Sequence, residues 1–276
     1  MSDPVDSDRN REHDLEPEWD PSAHRLPIWA TIREAVQAIA KEWKALLKAT
    51  MWPTLAVAAI NVLPEVEYPS GVDTYLQDIG FPLPLNTFGF GVHLLSAGFA
   101  MPIAISCHRL VILGVGSLPS AWGLFWSRRE TRFLGWSALI GGIAWVLLLV
   151  AAFSLEYGVL PLSLVLIFVP VANLVYVIPR LSLVLPATAI GQRPTLKGSW
   201  RLSRSNGWRL VLVMLLPSLL LIPLSVGSLL LGGIAPQFLS AFIGVLVAVL
   251  SWVIGIAALS KAFCWFTAEI EAKSPS

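Results

Sequence analysis

Charge is what this sequence has least of. Only 13% of its 276 residues are Asp, Glu, Lys or Arg, against roughly 25% in an average soluble chain. A water-soluble domain of this length needs a polar skin, and the chain has too little charge to make one. A helical bundle surrounded by lipid needs none, and a mean hydropathy of +0.70 agrees with that solvent. The composition therefore predicts an integral membrane protein of the all-α class.

Other absences exclude chemistry. Cysteine occurs twice, as Cys107 and Cys264 inside apolar segments, with no CxxC spacing. That leaves neither a disulfide framework nor a Cys-based metal site, and both read as small buried hydrophobes. The four histidines are His13, His24, His93 and His108. The last two would share one helix, where fifteen residues at ~1.5 Å each keep them about 22 Å apart. No HExxH run, no G-x-S-x-G elbow and no paired intramembrane carboxylate occurs. The chain is read as a non-enzyme, with no metal and no cofactor expected.

What is present is apolar length. Stretches over 45–63, 88–108, 134–154, 159–179, 210–231 and 237–259 approach or exceed the ~20 residues of a spanning helix, and none contains Asp or Glu. These six make a membrane domain over 27–268, followed by a short tail at 269–276. Ahead of it, residues 1–26 carry eight acids and three bases with scattered proline. That composition reads as a disordered acidic tail with no cleavable leader, so the first span acts as an uncleaved anchor. The tail could dock on a basic cytoplasmic face or simply remain solvated.

Charge distribution sets the expected orientation. The 64–86 segment holds Glu65, Glu67, Asp73 and Asp78 and no base. All nineteen Lys and Arg fall in the N-terminal segment, around 109–132, in 180–209 or after 260. The positive-inside rule then predicts cytoplasmic N and C termini.

Within 180–209, six bases occur without one acid. Arg193, Lys197, Arg201 and Arg204 fall at i, i+4, i+8 and i+11, which predicts one stripe of a helix, with Trp200 beside it. A basic, tryptophan-bearing helix suits the headgroup plane. Pro194 fits its first turn and Asn206-Gly207 its end. The hexamers TIREAV (31–36), SLPSAW (117–122) and TLKGSW (195–200) each open such a stretch, marked by Trp43, Trp126 and Trp200. Thr31 and Glu34 could form a capping box. Arg109, Arg180 and Lys261 close the even-numbered spans. This pattern predicts three repeats of interfacial helix plus helical hairpin.

Two features inside the spans point elsewhere. Prolines at 53, 102, 170, 217 and 223 each remove a helix hydrogen bond, compatible either with a kinked cavity or with packing alone. His108, Arg109, Asn173, Tyr176 and Arg180 could line a cytoplasm-facing cavity, or the two arginines could be snorkelling anchors.

The run from Arg180 through Leu181, Leu183, Leu185, Pro186 and Ala187, followed by Ser199, Trp200, Leu202, Trp208 and Arg209, resembles a known pattern. CHRLVILG at 107–114 is similar to an earlier segment of the same pattern. It resembles the six-helix membrane domain found with bacterial glycerophosphodiester phosphodiesterases, and related small bacterial membrane proteins of unknown function. The resemblance implies a multi-pass protein of the bacterial inner membrane. It does not imply the phosphodiesterase, whose chemistry belongs to a separate soluble barrel for which no residues remain. The expected function is a lipid-associated scaffold or envelope-maintenance module using Arg193, Lys197, Trp200, Arg201 and Arg204 on headgroups. The alternatives are a small transporter or channel using the cavity set, and, less favoured, a membrane enzyme. Expected partners are membrane lipids, anionic phospholipid foremost, and not nucleic acid.

Overall fold

A computed structural model describes residues 25–67, 87–118, 127–157, 162–231 and 237–273. Nearly all of these are helical, and no strand occurs among them. The helices are α1 (Ile28–Glu67), α2 (Thr87–Leu113), α3 (Arg128–Tyr157), α4 (Leu162–Ser182), α5 (Val184–Ala189), α6 (Leu196–Leu202), α7 (Gly207–Leu220), α8 (Ile222–Leu231) and α9 (Gln237–Lys273).

Five segments are long and apolar enough to cross a membrane: Leu95–Leu113, Arg128–Val150, Phe168–Ala189, Gly207–Ser228 and Phe242–Ala268. They overlap the expected spans from the second to the sixth. The expected first span at 45–63 lies within α1, a forty-residue helix kinked at Glu42. Most of residues 1–26, the 64–86 loop beyond Glu67, and Trp126 lie outside the described residues.

Several boundaries differ from expectation for local reasons. The fifth span is two helices, because the chain turns at Leu221 and Pro223 enters the first turn of α8. Proline is accepted there because it needs no partner for a missing N–H. Thr31 is not a cap: α1 begins earlier, and the Thr31 hydroxyl donates to the Pro27 carbonyl at 2.8 Å. The capping box sits instead at the start of α3. There the Ser127 N–H donates to Glu130 Oε2 at 2.9 Å, the Ser127 hydroxyl bonds the same carboxylate, and Ser127 Oγ accepts from the Arg129 N–H.

Packing is concentrated at the end of the bundle that carries the cations. α1 packs on α2 and α9, α7 joins them through α9, and the α3–α4 pair attaches through α7 and α5. The main buried cluster runs from Leu26 and Ala35 through Cys107 and Leu110, Leu183 and Ala187, Leu210 and Val213, to Ala257, Phe263 and Phe266. Elsewhere large apolar groups such as Val146, Phe168, Leu220, Leu230 and Trp252 face outward, the arrangement expected where lipid is the solvent. Buried hydroxyls at Thr50, Ser182, Thr188 and Ser260 donate to the carbonyl four residues earlier. Among the described residues no buried side-chain polar atom lacks a partner.

Candidate functional site

Arg180 is the centre of the basic end. It lies in the last turn of α4 and is 3% exposed. Its Nε donates to Ser203 Oγ at 3.0 Å, one terminal nitrogen to the Tyr176 hydroxyl at 3.0 Å, and the other to the Trp200 carbonyl at 2.9 Å. The guanidinium also covers the Trp200 ring at 3.6 Å from its centroid and approaches Tyr176 at 5.2 Å. A planar fork with fixed donors suits such a site, where a flexible ammonium would not. An intramembrane arginine costs roughly 2.5–3.5 kcal/mol at a helix centre. Three charge-assisted hydrogen bonds and a desolvated cation–π contact worth about 2 kcal/mol are enough to offset that.

The snorkelling expectation for Arg180 is therefore corrected. The side chain turns inward onto the 196–206 segment and fastens it to α4. Tyr176 extends the same contact, packing on Trp200 and lying 5.0 Å from the Trp208 ring. Gly207 permits this approach, since a Cβ there would meet the Tyr176 hydroxyl at 2.9 Å.

The expected cavity residues do not gather at one place. Tyr176 and Arg180 share the cluster just described. His108, 1% exposed, instead bonds Ser260 Oγ at 2.7 Å across to α9 and packs near Phe133. Arg109 closes its own turn, donating from Nε to the Ser117 carbonyl at 2.8 Å. Asn173 is exposed and donates to the Val169 carbonyl at 2.8 Å.

The expected basic stripe is also redrawn. α6 covers only Leu196–Leu202, so Lys197 and Arg201 share it, while Arg193 precedes it and Arg204 lies in the turn beyond. Thr195 is its N-cap, accepting from the Gly198 N–H at 3.0 Å, which leaves Pro194 outside the helix. The helix ends at Ser203, held by Arg180, four residues before Gly207. Asn206 does not end it. Asn206 Oδ1 accepts from the Leu26 N–H at 2.9 Å, and the Arg209 guanidinium donates to the Leu26 carbonyl at 2.8 Å. Leu26 itself is fully buried.

Arg193, Lys197, Arg201 and Arg204 are all exposed, and Trp200 and Trp208 are exposed beside them. Among the described residues none of these four cations is ion-paired. The Arg129–Glu130 pair at 3.2 Å lies on α3.

Sequence reasoning missed a second group at this end. Arg132, Gly135, Trp136 and Leu139 form one face of α3, which together with Arg193 and Gln192 lines a recess of about 460 Å³. Their i, i+3, i+4, i+7 spacing is a helix-face signal in plain sight. It was hidden by its position at the start of an apolar span.

These features define the class: a multi-pass helical membrane protein with an exposed basic, tryptophan-bearing surface at one end of the bundle. Compared with known protein families, curated proteins and solved structures, the chain finds no match.

Proposed function

We propose that the chain is a polytopic protein of the bacterial inner membrane that engages anionic phospholipid through the 193–204 segment, serving as a lipid-associated scaffold or envelope-maintenance module. With it go six spans, cytoplasmic termini, the threefold repeat and kinship with the glycerophosphodiester-phosphodiesterase-type membrane domain. The kink at Glu42 divides α1 into a leading helix and the 45–63 stretch, in keeping with the first unit of such a repeat.

One observation carries the lipid reading. Arg180 fastens the 196–206 segment at the Trp200 carbonyl and the Ser203 hydroxyl, while Lys197, Arg201 and Arg204 on that segment stay exposed and unpaired with any acid among the described residues. Exposed cations of this kind add about 1 kcal/mol each toward an anionic surface.

The test is native mass spectrometry of lipid retained by the detergent-purified full chain, with vesicle association beside it. Replacing Arg201 and Arg204 by Gln removes two charges, so association with phosphatidylglycerol vesicles should weaken roughly 30-fold at low salt. Unchanged vesicle association in that variant would sink the proposal.

A further inference from the structure

The chain leaves α5 by a turn that only glycine makes comfortably. Gly191 sits at φ 89°. Its N–H donates to the Thr188 carbonyl at 2.9 Å, and the Gln192 N–H donates to the Ala187 carbonyl at 3.0 Å. This pair of bonds is the Schellman closure of a helix, and it fixes the direction in which the next residues leave. Gln192 and Arg193 are thereby aimed along the first turns of α3, where they line the recess with Arg132 and Trp136.

The recess is open and its lining surface is mostly apolar, with Arg132 and Arg193 among the residues that form it. Arg132 and Arg193 are both exposed, and no acid is among the residues that line it. Glu130, the nearest acid in sequence, is engaged by Ser127 and Arg129. Trp136 packs below with Ile140, Leu181 and Val184. From Arg132 to Leu139 the helix rises about 10 Å, so the lining passes from guanidinium to exposed leucine within two turns. A volume near 460 Å³ lies inside the usual range of small-molecule sites.

We infer that this recess is a discrete site for one anionic phospholipid. Its phosphodiester lies between Arg132 and Arg193, and the start of its acyl chains runs along Gly135 and Leu139. The two guanidiniums match the charge and the hydrogen-bonding oxygens of a phosphate. The continuation onto a lipid-facing helix surface selects a lipid over a free phosphate ester. The inference deepens the proposed function, and rests on it for the presence of anionic lipid at this end. It differs in predicting a stoichiometric molecule held apart from the 197–204 surface.

Gly135 supplies a test that alters no charge. A Cβ built there meets nothing within 4 Å, so Gly135→Leu fills the groove from a helix position where leucine is the better helix former. Wild type, Gly135→Leu, Arg132→Gln and the Arg201→Gln/Arg204→Gln double variant are compared by native mass spectrometry. Phosphatidylglycerol is the probe, phosphatidylcholine the control and glycerol phosphate the competitor.

One phosphatidylglycerol is expected on wild type and on the double variant. Retention should fall at least tenfold in Gly135→Leu and Arg132→Gln, with the melting temperature of Gly135→Leu at or above wild type. Equal retention in all four proteins, or no retained lipid on wild type, overturns the site. Displacement by glycerol phosphate as effective as by lipid overturns the acyl-chain assignment. If the recess variants keep their lipid while the double variant still loses vesicle association, the site fails and the broader function stands.

Discussion

The Arg180 guanidinium carbon lies 3.6 Å from the centre of the Trp200 ring, while one of its nitrogens donates to the carbonyl of the same tryptophan. One residue of α4 thus grips both the side chain and the backbone of a residue twenty positions later. Arg180→Lys keeps the charge and loses the fork. It should destabilise the protein by about 2–3 kcal/mol, read as a lower melting temperature in detergent. Trypsin should also cleave faster at Arg201 and Arg204. Cleavage at the wild-type rate would show that the segment is held by something else.

Leu26 is tied at both backbone groups, to Asn206 and to Arg209. Asn206→Ala should cost about 1–2 kcal/mol by leaving a buried N–H without its acceptor. Amide exchange over residues 26–30 should quicken, while exchange in α9 should hardly change. Equal acceleration in both places would mean that the loss is global rather than local.

His108 and Ser260 join α2 to α9 by a 2.7 Å bond inside the core. Ser260→Ala alone strands a buried ring nitrogen and should cost about 1–3 kcal/mol. Adding His108→Phe removes the stranded group, so the double variant should recover a large part of the loss. Thermal melts of the four proteins complete the cycle, and simple additivity would deny the coupling.

The two free cysteines differ in access. Cys107 is fully buried, with its thiol 3.5 Å from the Val253 carbonyl, whereas Cys264 is partly exposed. Maleimide should therefore modify Cys264 first in the native protein and reach Cys107 only on unfolding. Mass spectrometry of the labelled chain checks the order, which Cys264→Ser should reduce to a single slow site.

How much of this was legible in the sequence follows from the range of each signal. The spans could be read because hydropathy is a local sum, and α2, α3, α4, α7–α8 and α9 lie where apolar length puts them. Exposure of Lys197, Arg201 and Arg204 was also legible, since isolated cations seldom stay buried without partners. The Tyr176–Arg180 contact was within reach of i, i+4 spacing on one helix. The clamp was not, because Trp200 and Ser203 meet the guanidinium only after the chain reverses through Gly191. The four-cation stripe failed because spacing says nothing about where a helix stops, and Ser203 is recruited by Arg180 instead. The capping box could have been found. Ser127 and Glu130 have the spacing that was credited to Thr31 and Glu34, but Thr31 already sits inside a helix that starts at Ile28.

The mooring of Leu26 also decides how the protein answers to force. The N-terminal residues enter the fold across the start of α7 before α1 begins, so tension on them loads two hydrogen bonds side by side. Those bonds hold Asn206 and Arg209, at the end of the basic segment that Arg180 clamps from its other side. A pull on the N-terminal segment therefore draws first on the basic segment that Arg180 clamps. The body of α1 takes up the load only after those two bonds give way.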